Sequence, residues 1–162
     1  LANVSSFQKN DIKIAAQLLS SRHTKLCNHN DKYKGELLGD FVPDHLYWDE
    51  NLQKMTFIDP GNNYLVYGDL GEDCARFILS IATKFRWRII KSTSLIVIFL
   101  RTYITKQKII GSRLDHSLKA RYIKTREKYY AQKKPFHAFC ARMMISMHYI
   151  IISQILKKYN VQ

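Results

Sequence analysis

Apolar positions along this chain fall into five helix-length stretches and one pair of strand-like runs. Ile12, Ala15 and Leu19 line one face of a short helix over 10–21, with Asn10 as its candidate cap. Residues 23–36 are polar and irregular. Residues 45–48 and 54–59 read as two short strands joined by the turn Asp49-Glu50-Asn51, and in the second Met55 and Phe57 alternate with Thr56 and Ile58. Residues 60–70 read as a loop. A helix should begin near Gly71, because Cys74, Phe77, Ile78, Ile81 and Phe85 recur at helical spacing and Glu72 and Asp73 sit where the helix dipole favours anions. The run 95–100 has no period of its own, but with its flanks the stretch 89–105 is long enough for a buried helix. Ser112-Arg113-Leu114-Asp115 has capping-box spacing and precedes Leu114, Leu118, Tyr122, Thr125 and Tyr129 at helical intervals. Pro135 breaks the chain. A last helix over 136–158 is expected to bury Phe139, Met143, Met147, Ile150, Ile151 and Ile155. The order is helix, small hairpin, then several helices, which predicts a mainly α fold with a small β-hairpin (α+β).

A length of 162 residues bounds one domain, or one lobe of a larger one. No apolar run approaches the roughly 20 residues of a spanning helix. The start, Leu-Ala-Asn-Val-Ser-Ser, has no basic segment, no signal-like apolar core and no initiator Met, so the chain reads as an excerpt. Cys27, Cys74 and Cys140 are far apart and form no CxxC pair, which argues against a disulfide framework or a thiolate zinc site and for a reducing, cytoplasmic compartment. Cys74, on the expected buried face, reads as an inert core thiol.

Charge divides the chain. Residues 1–83 hold 8 Lys+Arg and 11 Asp+Glu, net −3; residues 84–162 hold 18 and 2, net +16. Five of the six glycines and nine of the thirteen acids lie between Gly35 and Asp73. Acids crowded into turn-rich backbone repel one another unless cations hold them, so the candidate chemistry lies there.

That stretch reads Gly39-Asp40-Phe41-Val42-Pro43-Asp44-His45-Leu46-Tyr47-Trp48, then Phe57-Ile58-Asp59-Pro60-Gly61, then Tyr67-Gly68-Asp69-Leu70-Gly71-Glu72-Asp73-Cys74-Ala75-Arg76-Phe77. Taken together it resembles the phosphotransferase family of aminoglycoside, macrolide and choline-type kinases, on the protein-kinase-like fold. In that family a loop H-G-D-x-x-P-x-[N/H] precedes a hairpin ending in I-D, and a helix opening G-D-x-x-x-D-L-A follows. The match covers roughly residues 36–85.

The resemblance implies roles residue by residue. Asp40 matches the catalytic aspartate, which orients the acceptor hydroxyl and takes its proton. Asp59 matches the Mg²⁺-holding aspartate, and His45 stands at the second metal-side position. Asp73 matches a structural aspartate. The cofactors implied are Mg²⁺ and ATP, and the partner is a small-molecule hydroxyl acceptor: a sugar, an antibiotic or an amino alcohol. Residues 36–73 would carry the catalytic and metal loops, and 74–162 a helical substrate-side subdomain. The logic is sound independently, since phosphoryl transfer needs a positioned nucleophile and divalent cations more than covalent help. Leu38 departs from the motif, which begins with His. No G-x-G-x-x-G and no Walker loop occurs anywhere. The chain therefore reads as the C-terminal lobe of such an enzyme, residues 1–162, with its N-terminal kinase lobe missing and inactive alone.

Two alternatives stand beside this reading. One is a degenerate pseudokinase, for which Leu38 and His45 speak. The other is a non-catalytic basic module. Residues 113–134 carry eight Lys or Arg with Tyr122, Tyr129 and Tyr130 interleaved, a composition suited to an anionic substrate, an anionic membrane or nucleic acid. Tyr122 and Tyr129 sit on the apolar stripe, where packing competes with stacking, so nucleic acid is the weakest of these partners. Asp69, Glu72 and Asp73 are simplest as helix N-terminal acids, the Met143, Met144 and Met147 cluster as core, and His23, His29, His116, His137 and His148 as background.

Overall fold

The computed structural model describes residues 8–27, 31, 33–49, 51, 54–58, 67–84, 88–107, 111–130 and 135–159. Helix α1 (Lys9–Leu26) runs beyond the expected 10–21. Its first turn is anchored two residues earlier than Asn10, by the Gln8 amide donating to Asp11 Oδ2 at 2.7 Å. It continues past residue 21 because His23 is buried and bonded from other elements, a tertiary pull on a polar segment.

The hairpin forms as read: β2 (Leu46–Asp49) pairs antiparallel with β3 (Lys54–Phe57), Leu46 opposite Phe57 and Asp49 opposite Lys54. A second two-stranded sheet was not anticipated. β1 (Lys34–Glu36) pairs antiparallel with β4 (Tyr67–Asp69), inside stretches that read as irregular. Three-residue strands with Gly35 opposite Gly68 carry no alternation to detect. Glycine at 35 is sterically required, since a Cβ there would lie 2.3 Å from the Leu26 carbonyl oxygen.

Helix α2 (Gly71–Lys84) starts where predicted and buries Cys74, Phe77, Ile78 and Ile81; Phe85 lies outside the described residues. Asp69 Oδ1 accepts the Gly71 amide at 2.8 Å, a cap on that helix. The apolar run 95–100 lies in α3 (Ile89–Gln107), which buries Leu95, Ile96, Phe99, Leu100 and Tyr103. Helix α4 (Gly111–Tyr130) opens at Gly111, one residue before Ser112.

An aromatic column joins these elements: Phe57, Phe41, Phe77, Phe99 and Tyr103 follow one another at centroid distances of 5.4, 5.2, 4.4 and 6.1 Å. Phe41, Phe77 and Phe99 are fully buried, which contributes about 1.5–3 kcal/mol each. The column ties the loop after Gly39 to the centre of the helical body.

Helix α5 (Pro135–Lys158) corrects the expectation. The residues it buries are Ala138, Ala141, Met144, Ile145, His148, Ile152 and Leu156. Phe139, Met143, Met147 and Ile150, expected inside, are exposed, as is Phe136; Ile151 and Ile155 are half-buried. Met144 alone of the methionine cluster is core. Both stripes have helical spacing, so period could not choose between them. Polar partners chose: His148 Nε2 shares a hydrogen bond with Ser92 on α3, Ser146 bonds Tyr122 on α4 at 2.8 Å, and Tyr149 stacks on Tyr122 at 4.5 Å. A second correction concerns length. At 24 residues α5 is long and apolar enough to cross a membrane by length and composition, though a third of its apolar window is buried against the protein.

Candidate active site

The site is built on a tight turn. The Asp40 amide donates to the Leu38 carbonyl at 2.8 Å, and Gly39 between them has φ of 74°. A three-residue turn of this hand is rare for residues with a Cβ, which is why glycine stands there. Phe41 is fully buried in the aromatic column, and on the other side Leu38 packs into the core. With both neighbours of the turn anchored inward, Asp40 stays at the surface, its side chain 39% exposed.

Asp73 holds the turn from below. It is the third residue of α2, its side chain only 2% exposed. Its Oδ2 accepts the Leu38 amide at 2.7 Å and its Oδ1 accepts the Gly39 amide at 3.1 Å. His23 Nε2 lies 3.2 Å from Oδ2, and His23 Nδ1 lies 2.6 Å from the Tyr103 hydroxyl. A ring with its hydrogen on Nε2 donates to Asp73 and accepts from Tyr103, so every polar group of this buried set is satisfied. Burial, with lesser repulsion from Cys74, Asp73 and Asp69, holds the Tyr103 hydroxyl well above its ordinary pKa, which keeps it a donor. Burial likewise pushes up the Cys74 thiol, with Asp73 adding to it, as expected of an inert core cysteine.

The same helix turn reaches the Asp40 carboxylate. Arg76, three residues after Asp73 and so on the same face of α2, donates Nη1–H to Asp40 Oδ1 at 3.2 Å. His45 closes the other side: its Nδ1 donates to the Asp40 carbonyl oxygen at 2.9 Å and lies 3.5 Å from Oδ2. That bond fixes the ring and leaves Nε2 as its free nitrogen. Ile58 donates its amide to the His45 carbonyl at 2.8 Å, tying the end of β3 to this residue. Asp59, the expected metal aspartate, lies outside the described residues.

Beside Asp40 opens a cavity of about 300 Å³, lined by Asp40, Val42, Arg76, Leu79, Ser80, Thr83, Arg121, Thr125 and Lys128. Its walls are the turn, α2 and α4. Arg121 and Lys128 come from the basic stretch 113–134. The rest of that stretch divides among other tasks. Arg113 pairs with Asp31 at 3.2 Å and stacks over Tyr33, while Arg126 donates to the Tyr130 hydroxyl at 2.9 Å. Tyr122 is packed on Tyr149.

The structure thus brings Asp40 and His45 together. It adds His23 and Arg76, which sequence reasoning missed, and picks Arg121 out of the basic stretch 113–134. His23 was set aside for want of ligand-like spacing, and its partners are 50 and 80 residues away. Arg76 had a readable signal, the three-residue offset from Asp73. Arg121 had none beyond its charge. The turn is held through the backbone amides of residues 38 and 39, so the Leu38 side chain is free to be apolar and packs into the core.

No protein-family model, curated protein or solved structure matches the chain.

Proposed function

We propose that these residues form the C-terminal, substrate-side lobe of a protein-kinase-like phosphotransferase that uses ATP and Mg²⁺ to phosphorylate a hydroxyl of a small molecule. One observation carries this reading: Asp40 stands exposed at the mouth of a cavity on a glycine turn that Asp73 clamps through two backbone amides. A buried carboxylate spent on fixing two amides of a surface turn serves positioning, and the group it positions is Asp40. In this reading the Asp40 carboxylate accepts the hydrogen bond of the acceptor hydroxyl. It takes that proton as the new O–P bond forms and the bond to the leaving diphosphate breaks. Arg76 and His45 keep its two oxygens facing the cavity.

The cation needs a separate test of fit. Among the described residues no group of three or more His, Cys, Asp or Glu could hold a metal ion. His45 offers one nitrogen, and Mg²⁺ prefers oxygen. The described residues by themselves do not fit Mg²⁺; in this reading the cation falls to Asp59. It assigns nucleotide binding to a lobe outside these 162 residues.

The test is a coupled kinase assay on the full-length protein, with a panel of sugars, aminoglycosides, macrolides and amino alcohols. The expected result is ATP-dependent phosphorylation that Asp40→Asn lowers about 10²–10⁴-fold, at unchanged melting temperature. Activity indifferent to Asp40→Asn refutes the reading. Nucleotide binding without turnover on any acceptor would favour the pseudokinase alternative.

A second reading has its own observation. The outward row of α5, Phe136, Phe139, Met143, Met147 and Ile150, is exposed and runs towards Lys157 and Lys158. The row belongs to the half of the chain with net charge +16. Apolar side chains with basic residues at their border suit the surface of an anionic bilayer, whereas a second +13 copy would be repelled. Flotation with vesicles containing about a third phosphatidylserine should recover the protein at low salt and lose it with Met143→Glu/Met147→Glu. Equal recovery on neutral vesicles, or none on either, removes this reading.

A further inference from the structure

The cavity beside Asp40 has an excess of positive charge. Its walls carry Arg76, Arg121 and Lys128 against the single carboxylate of Asp40. Arg76 is committed, because its Nη1 is bonded to Asp40. Arg121 is not: half-buried, it has no side-chain hydrogen bond or ion pair among the described residues. Burial, then the neighbouring Arg76 guanidinium, pull its pKa below the usual arginine value, while Asp40 and Glu72 offset only part of this. A guanidinium half-withdrawn from water beside a second one is electrostatically incomplete. An anion beside Arg121 supplies the missing charge, and the fork of donors on arginine matches phosphate and carboxylate oxygens.

The neighbouring groups agree with a hydroxylated ligand. Ser80 and Thr83 on α2 line the same space, and Thr83 donates its hydroxyl to the Ser80 carbonyl, which leaves its oxygen lone pairs free to accept. A volume of about 300 Å³ stands at the small end of ligand pockets, which span about 300–1,000 Å³. That is room for a monosaccharide-sized group.

Resting on the phosphotransferase reading of Asp40, we infer that the acceptor is a small polyhydroxylated anion, such as a sugar phosphate or sugar acid. Its anionic group is held by Arg121 and Lys128, and a hydroxyl is directed at Asp40. The anion is a fixed handle distinct from the hydroxyl that reacts. The same cations could instead receive the terminal phosphate of the nucleotide, and the experiment separates the two sources.

Calorimetric titration of the full chain measures binding with no turnover required. The probes are glucose 6-phosphate, gluconate, unmodified glucose, and ADP with Mg²⁺. Glucose 6-phosphate or gluconate should bind at least tenfold more tightly than glucose. Arg121→Gln should remove that preference, Arg121→Lys should restore part of it, and raising salt should weaken it. The anionic probes should still bind with saturating Mg²⁺–ADP present. Equal affinity for glucose and its anionic relatives overturns the inference, as does an Arg121→Gln variant that binds the anions unchanged. Displacement of the anions by Mg²⁺–ADP assigns the site to the nucleotide and overturns the acceptor version. Because binding alone is read, an enzyme that proves inactive in the kinase assay can still pass or fail here, so the two failures remain distinct.

Discussion

The first turn of α2 faces two clusters of similar composition and opposite character. Below the glycine turn lies Asp73 with His23 and Tyr103: one carboxylate, one imidazole and one phenol, sealed from water with every donor and acceptor matched. Above it lies Asp40 with His45, Arg76 and Arg121, part-exposed, with more positive charge than its own carboxylate answers. The lower cluster has nothing left to give a ligand. The upper one has, among the described residues, an imidazole nitrogen and a guanidinium without partners, and a cavity. Residue type does not distinguish the two clusters; completeness of pairing does.

The two clusters should break differently. The largest effect on the fold should come from below. Asp73→Ala leaves two loop amides and the His23 ring without partners in a dry site, and should cost about 3 kcal/mol or more in urea unfolding. It should also disorder the turn, so activity falls with it. A variant that unfolds like the parent would show that the lower cluster is not the clamp described.

Gly39→Ala tests the turn alone. Forcing a Cβ into φ near 74° should cost about 1–2 kcal/mol. The expected signature is a kcat loss exceeding that small stability change, because Asp40 shifts with the backbone. Equal and minor changes in both would mean that the turn relaxes without moving the carboxylate.

Smallest in stability, and most informative about the upper cluster, is Arg76→Gln. Its ion pair with Asp40 is partly exposed, with side chains 23% and 39% accessible, and such pairs are worth about 0–1 kcal/mol. Denaturation should hardly move. Phosphoryl transfer, under the proposed function, should fall about tenfold or more as the Asp40 carboxylate loses its fixed orientation. A large stability loss with no kinetic effect would reclassify the upper cluster with the lower.

Other parts of the molecule show where reading from sequence succeeds and where it stops. The start and stripe of α2, the hairpin of β2 and β3, and the helical nature of 89–105 were legible because each is governed by neighbours within one turn or one pairing register. The α5 face was not. Phe139, Met143, Met147 and Ile150 form as good a stripe as Ala138, Ala141, Ile145 and Ile152, and a helix apolar all round gives no local ground for preferring one. The small alanines and the His148–Ser92 bond, spanning 56 residues, settle it by what they meet on other helices.

The candidate site divides in the same way. The order of Asp40, His45 and Asp73 along the chain, the glycine before Asp40 and the placement of Asp73 at a helix start belong to the sequence. They rest on spacing and on the conformational freedom of glycine, which act over a few bonds. That Asp73 turns inward to the Leu38 and Gly39 amides, that His23 from α1 supports it, and that Arg121 from α4 faces the cavity beside Asp40 are tertiary facts. They depend on which long-range packing leaves buried polar groups satisfied, and no local pattern encodes that choice.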